Sequence, residues 1–231
     1  MSDLYQLMNV VGVKEDNKQI VKILQEIASG ERSNDLRVLN YFHEIPVSYP
    51  GTVENVEDDM VDISVHQNQA VVMHLQKMTF LKSRHFPHDV VANVFRADVN
   101  KCFAILTKFA YAQVRAERRQ FVRVKLDGKI PVSFISSAFQ FNGTVDDISI
   151  GGMCVCAEPS DAVETQTEGV LAVVLDTARM EIPATLLKVF DEDGVTKYVF
   201  ELDADSKIES KISHFIFQRQ LEIIREIKDS L

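Results

Sequence analysis

The sequence predicts a mainly β protein: two related β domains, each a small barrel or sandwich, with a helix before them and a longer helix after them. Three observations carry this. From about residue 37 to 203 the chain is a succession of short segments rich in β-branched and aromatic residues, separated by turn-forming residues. The tetrapeptide Ile-Pro-Val-Ser occurs twice, at 45–48 and 130–133, an offset of 85 residues. At the two ends, apolar residues recur at helical rather than alternating spacing.

Taken in order, residues 17–29 place Ile20, Leu24, Ile27 and Ala28 on one helical face, and Gly30 is a natural stop. Residues 31–36 read as a loop. RVLNYF, DMVDISVH, AVVMHL and FAILTKFAYA read as strands, with Pro50-Gly51 and residues 66–69 as turns. Residues 85–95 are ambiguous and compatible with a strand after a loop. Strand texture resumes in FVRVKL, IPVSFIS, FNGTVDDIS, MCVCA, GVLAVVLD, EIPATLLKVF and TKYVFELD, with a hairpin turn at 191–194. Residues 206–230 place Ile208, Ile212, Phe215, Ile216, Ile223 and Ile227 at helical spacing, and Ser206 is positioned to cap the helix. Its mixed charges favour packing across a barrel mouth over a membrane surface.

The 231 residues suit one large domain or two of roughly 100 residues each. The repeat favours two. At the same offset Val61-Asp-Ile-Ser64 falls on Asp146-Asp-Ile-Ser149, which makes seven identities in all. The domains expected are an N-terminal helical segment (1–34), a β domain (35–112) and a second β domain with the C-terminal helix (113–231). At this offset Arg119 and Arg123 fall on Asn34 and Val38, and Gly152 on Gln67, so a site built from them belongs to the second domain alone.

Composition narrows the function. The formal net charge is −9, which disfavours bulk attraction to nucleic acid or anionic lipid. No segment approaches about 18 uninterrupted apolar residues, so membrane insertion is not expected, and the N-terminus does not read as a signal peptide. Cys102, Cys154 and Cys156 form no even framework; Cys154 and Cys156 would have Cα atoms roughly 6.5–7 Å apart on a strand, at the limit for bridging. Free thiols point to the cytoplasm.

Against this acidic background, residues 118–123 read RRQFVR, with three arginines in six residues. Downstream comes Asp147-Ile-Ser149-Ile-Gly151-Gly152. Taken singly, the first reads as a solvated strand mouth and the second as an ordinary turn. Together, RxxxR (Arg119, Arg123, preceded by Arg118) followed by DxSxxG (Asp147, Ser149, Gly152) resembles the PilZ domain, a bacterial receptor for cyclic di-GMP, over roughly residues 115–231. The resemblance implies a six-stranded, split-barrel β fold with a C-terminal helix, and a ligand site at Arg118, Arg119, Arg123, Asp147, Ser149, Gly151 and Gly152. The first domain resembles the PilZ-like barrel that precedes PilZ in flagellar-brake-like proteins, here a degenerate copy.

The chemistry agrees with the resemblance. A guanidinium fork satisfies the paired O6 and N7 acceptors of guanine, stacks on base planes and pairs with phosphate. Asp147 can accept from guanine N–H groups, Ser149 is a small donor and acceptor, and Gly151 and Gly152 permit close approach of a flat base. Arg118 is the candidate for holding a second, stacked ligand. Phe121 between the arginines implies that the segment is not regular strand. Its place between the domains implies that ligand capture reorients them and signals to a protein partner in flagellar, secretion or regulatory machinery.

Other chemistries are weaker. His85 and His88, or Cys154 and Cys156, offer half a zinc site each, without a second pair nearby. No GxSxG, P-loop or HExxH occurs, Asp58, Asp59 and Asp62 read as solvated turn carboxylates, and neither enzymatic activity, a metal nor a cofactor is expected. The main alternative is a PilZ-like protein-interaction module that does not bind nucleotide; the other is a nucleic-acid binder using the same arginines, which the net charge disfavours. The C-terminal helix leaves homo-oligomerisation open.

Overall fold

A computed structural model describes residues 4–159 and 163–229, with only the backbone path for 127–129. The chain divides into two compact units, one of residues 4–42, 46–119 and 224–229, the other of 43–45 and 120–223. Among the described residues, no helix is long and apolar enough to cross a membrane.

The first unit contains β1 (Tyr5–Met8), α1 (Val13–Ala28), β2 (Arg37–Phe42), β3 (Ile45–Glu57), β4 (Met60–Val65), α2 (Gln67–Gln76), β5 (Met78–Lys82), β6 (Asp89–Asp98) and β7 (Phe103–Val114). The sheet runs β7-β4-β3-β2-β5-β6 and closes through β6–β7 pairing, while β1 extends it along β7. α1 buries Ile20, Ile23, Leu24 and Ile27 in the same core as Val38, Ile63, Leu106 and Tyr111. Each such side chain contributes about 1.5–3 kcal/mol of burial, enough to hold a helix that would be marginal alone. The helix stops where Gly30, at φ +81°, donates to the Ile27 carbonyl at 3.1 Å.

Three local expectations fail here. AVVMHL is not a strand, and residues 66–69 are not a turn. They form α2: the His66 side chain accepts from the N–H of Asn68, and Lys77 ends the helix in a left-handed conformation. A short apolar run has the same look as strand or buried helix. What decides is a buried amide network, in which Gln69 donates to Asn40 Oδ1 at 2.7 Å and Asn40 donates to Gln76 Oε1 at 2.8 Å. Nor does Pro50-Gly51 turn the chain, since β3 runs through it. A side chain at Gly51 would meet Val38 Cγ2 at 2.8 Å, so the glycine marks a close crossing of two strands.

The second unit contains β8 (Val124–Ser136), β9 (Gln140–Ser149), β10 (Gly152–Ala157), β11 (Glu168–Leu175), β12 (Ala178–Glu192), β13 (Val195–Leu202) and most of α3 (Ser206–Asp229), whose residues from Ile224 on fall in the first unit. Its strands close in the order β10-β13-β12-β11-β8-β9. Phe134, Phe141, Tyr198 and Phe200 pack inside, with ring centroids as close as 4.6 Å. Asp193 and Gly194, at φ +52° and +79°, make the tight β12–β13 turn. The cap of α3 is Asp205 rather than Ser206: its carboxylate accepts from the N–H of Ile208 at 2.8 Å.

Both barrels therefore have six strands and the same connectivity, which bears out the expected fold class of two related β-barrels with flanking helices. The offset of 85 does not align them, however. It places β3 on β8, whereas connectivity equates β3 with β9 and β4 with β10. The hairpin-closing pairs settle the register: Glu57↔Met60 in one barrel matches Ser149↔Gly152 in the other, a shift of 92 residues. The register also slips at Glu54 in β3 and at Asp146 in β9, positions separated by the same 92. The seven identities are thus out of register with the fold. In the true register Asn55, Glu57 and Met60 stand where the second barrel has Asp147, Ser149 and Gly152.

Candidate functional site

After β7 the chain makes one tight turn, Arg115–Arg118, and leaves regular structure until β8 begins at Val124. Arg118 is the exposed last residue of that turn. Arg119 follows it, partly buried, with its N–H on the Ala116 carbonyl at 3.3 Å. Arg119 belongs to the first unit and Gln120 opens the second. The segment between the arginines bends at Gln120 and Phe121 and pairs with no strand before Val124.

Arg123 sits just before β8, where Val124 pairs with Ile148 and Lys125 with Asp147. This pairing carries Arg123 to the DxSxxG strand. Its Nη1 stands 3.9 Å from Asp147 Oδ1. That is an ion pair but beyond hydrogen-bond range, so it is worth under about 1 kcal/mol at this partly exposed position.

The β9 bulge explains how Asp147 is presented. Consecutive strand residues face opposite sides, but at the bulge the carboxylates of Asp146 and Asp147 and the thiol of Cys154 all fall within 4.8 Å. Lys197 on β13 bridges Asp146 and Glu192, with Nζ 2.7 Å from each. Burial opposes its charge, but the two carboxylates outweigh it and hold the Lys197 pKa above its ordinary value. Burial, then the fields of Asp147 and Asp146, push the Cys154 thiol well up. The carboxylates have cations beside them, Lys197 at Asp146 and Arg123 at Asp147, so the cluster reads as an ion-pair network.

On the same hairpin, Ser149 is buried and its hydroxyl donates to the Gly152 carbonyl at 3.3 Å, tying the turn. A side chain on Gly152 would come 3.1 Å from the Phe200 carbonyl, so this glycine serves the close packing of β13. A side chain on Gly151 would meet the Phe121 ring at 3.0 and 3.1 Å. Phe121 thus packs against Gly151 of the hairpin.

Arg123, Asp147, Ser149, Gly151 and Gly152 are brought together in the second unit. Arg118 and Arg119 lie in the chain leading to it. Sequence reasoning missed Asp146 and Lys197, though the doubled aspartate was a visible signal, and it noticed Phe121 without giving it a role. The histidine pair is engaged elsewhere: His85 Nε2 lies 3.1 Å from the Ser33 carbonyl oxygen, and His88 packs edge-on to Tyr111.

Residues 117–218 match the PilZ domain family. They form a PilZ domain. All seven candidate residues fall within the matched span. An uncharacterised protein of Aquifex aeolicus (strain VF5) is 26% identical over 184 residues, covering 76% of this chain and 85% of that one. Among solved structures, YcgR of Escherichia coli in complex with c-di-GMP aligns over 99% of this chain and 97% of its own, with 10% identity and a TM-score of 0.47. The MrkH–c-di-GMP complex of K. pneumonia aligns over 91% and 96%, with 14% identity and a TM-score of 0.46.

Proposed function

We propose that this chain is a receptor for cyclic di-GMP, without catalytic activity, that takes its ligand on the PilZ domain. The observation that carries the reading is Arg123 poised 3.9 Å from Asp147. Two motifs 24 residues apart in sequence meet at one spot, in the chemistry that a guanine and a phosphate require. Arg119 and Arg123 clamp phosphate and base edge, Asp147 accepts from guanine N–H groups, and Gly151 is the base's seat. Ser149 and Gly152 keep the hairpin in shape. Arg118 is the residue available to a second, stacked ligand.

The signal follows from covalent connectivity. Arg119 ends one unit and Arg123 belongs to the other. A ligand held by both fixes the intervening backbone, and so changes how freely one barrel moves against the other. The first barrel carries Asn55, Glu57 and Met60 at the positions of the motif, so it binds no nucleotide and serves the partner side.

One observation favours the other reading, a protein-interaction module without ligand: Phe121 already occupies the seat over Gly151. Equilibrium binding of labelled cyclic di-GMP separates the two. Wild-type protein should bind with low-micromolar affinity or better, and Arg119→Ala should lose binding while melting as wild type does. Affinity within a factor of about two of wild type in Arg119→Ala would rule out the site.

A further inference from the structure

The first unit carries a cavity of about 610 Å³ between α1 and β7, within the size range of ligand pockets. Three of its lining residues are lysines: Lys14 and Lys18 one turn apart on α1, and Lys108 on β7. Lys108 is aimed there by a bulge. Val91 pairs with Ala110 and Asn93 with Thr107, so β7 carries one residue more than β6 over this stretch. Lys108 takes φ +54°, a conformation that non-glycine residues adopt rarely and mostly where the surroundings enforce it. The enforcement is visible: the N–H of Phe109 donates to Asn17 Oδ1 at 2.9 Å.

The rim of the cavity is apolar and held in place. Val13, in the lining, is 67% exposed, and Val11, two residues before it in the chain, is 75% exposed. The turn bearing these valines is pinned from beneath by buried Asp16, which accepts from the N–H groups of Val10 at 2.9 Å and Val11 at 3.0 Å. Exposed aliphatic side chains on an anchored turn offer a surface that another molecule can cover. The charge of the cavity is local. Glu15 sits 3.1 Å from Lys18, and Asp59 is the single acidic residue of the lining, in a chain whose formal net charge is −9.

We propose that this cavity and its valine rim dock an acidic, aliphatic segment of a partner protein. Leucine-like side chains would cover the rim and the cavity while carboxylates meet Lys14, Lys18 and Lys108. The net charge of the chain repels extended polyanions, membrane surface and nucleic acid alike, whereas a short acidic segment feels chiefly the three lysines. The site does not depend on nucleotide binding by the PilZ domain.

The test is fluorescence anisotropy of the full chain with a short labelled peptide of glutamate and leucine. Saturable binding is expected, weakened by salt and weakened about tenfold or more by Lys14→Glu combined with Lys108→Glu. Val11→Ser should weaken it at every salt concentration, and Arg123→Ala should leave it unchanged. Lys14→Glu alone, on an exposed helix face, gives the answer if the bulge variant does not fold. Absence of saturable binding, or equal binding by the charge-reversed variants, would overturn the proposal. So would lysine-dependent binding to phosphatidylglycerol vesicles in the absence of peptide binding, which would assign the surface to a membrane.

Discussion

The ring of Phe121 rests on Gly151, so close that a Cβ there would lie 3.0 Å from Cε2. The residue between the two arginines thus covers the hairpin position that the proposed binding mode gives to the base. Under that proposal, ligand and Phe121 compete for one seat. Phe121 is only 38% exposed, and its release costs roughly 1 kcal/mol of apolar burial. Phe121→Ala removes that cost and should tighten cyclic di-GMP binding about fivefold in a calorimetric titration. Weaker binding by this variant would make Phe121 a stacking partner of the base rather than its competitor.

Arg123→Ala separates binding from folding. The pair with Asp147 is long and partly exposed, so its loss should change the unfolding free energy by less than about 1 kcal/mol. A hydrogen bond to a charged group is worth about 1.5–3 kcal/mol, so affinity for cyclic di-GMP should fall about 10- to 100-fold or more. Denaturant melts alongside ligand titration check both halves. A large loss of stability would mean that Arg123 is structural.

Lys197 is the reverse case. Its side chain is 12% exposed and serves two carboxylates at 2.7 Å. Lys197→Met leaves Asp146 and Glu192 facing each other without a cation and should cost about 3 kcal/mol or more in urea unfolding. Adding Asp146→Asn should recover part of the loss. A cost under about 1 kcal/mol would show that solvent screens the network.

The Cys154 thiol gives a pH signature. Burial and the neighbouring aspartates raise its pKa above the ordinary 9.0, so the folded chain holds the proton more tightly than the unfolded chain does. The stability this contributes is fully present below pH 9.0 and is lost as pH rises from there towards the folded value. Lys197, raised above 10.5, adds a loss at still higher pH. Thermal melts should be flat near neutrality and fall on the alkaline side, with a shallower fall in Cys154→Ala. Iodoacetamide should leave Cys154 unmodified in the folded chain at neutral pH. Rapid modification there would contradict the burial.

Much of this was legible in the sequence, and the failures have physical causes. The barrel strands alternate or carry β-branched runs, and Asp193-Gly194 can hardly be anything but a hairpin turn. The arginines announce themselves because three fall within six residues of an acidic chain, and the hairpin because Gly151-Gly152 punctuates a strand-rich texture. α2 was hidden because its buried apolar run has no period, and only the amides of Asn40 and Gln69 reveal that it packs as a helix. The repeat misled because Ile-Pro-Val-Ser suits any strand start, while the true register is written in hairpin closures and bulges that have no residue signature. Lys197 lies about 50 residues from Asp146, and nothing local in the sequence joins them.

The central claim is tested most directly by calorimetric titration of the wild-type chain with cyclic di-GMP, with GTP and cyclic AMP as controls. Receptor function predicts low-micromolar or tighter binding of cyclic di-GMP alone, with a molar ratio of one if Arg118 stands apart and two if it holds a stacked second ligand. No heat of binding at high-micromolar ligand, or equal binding of all three nucleotides, would contradict it and leave residues 118–123 as a surface for protein contacts.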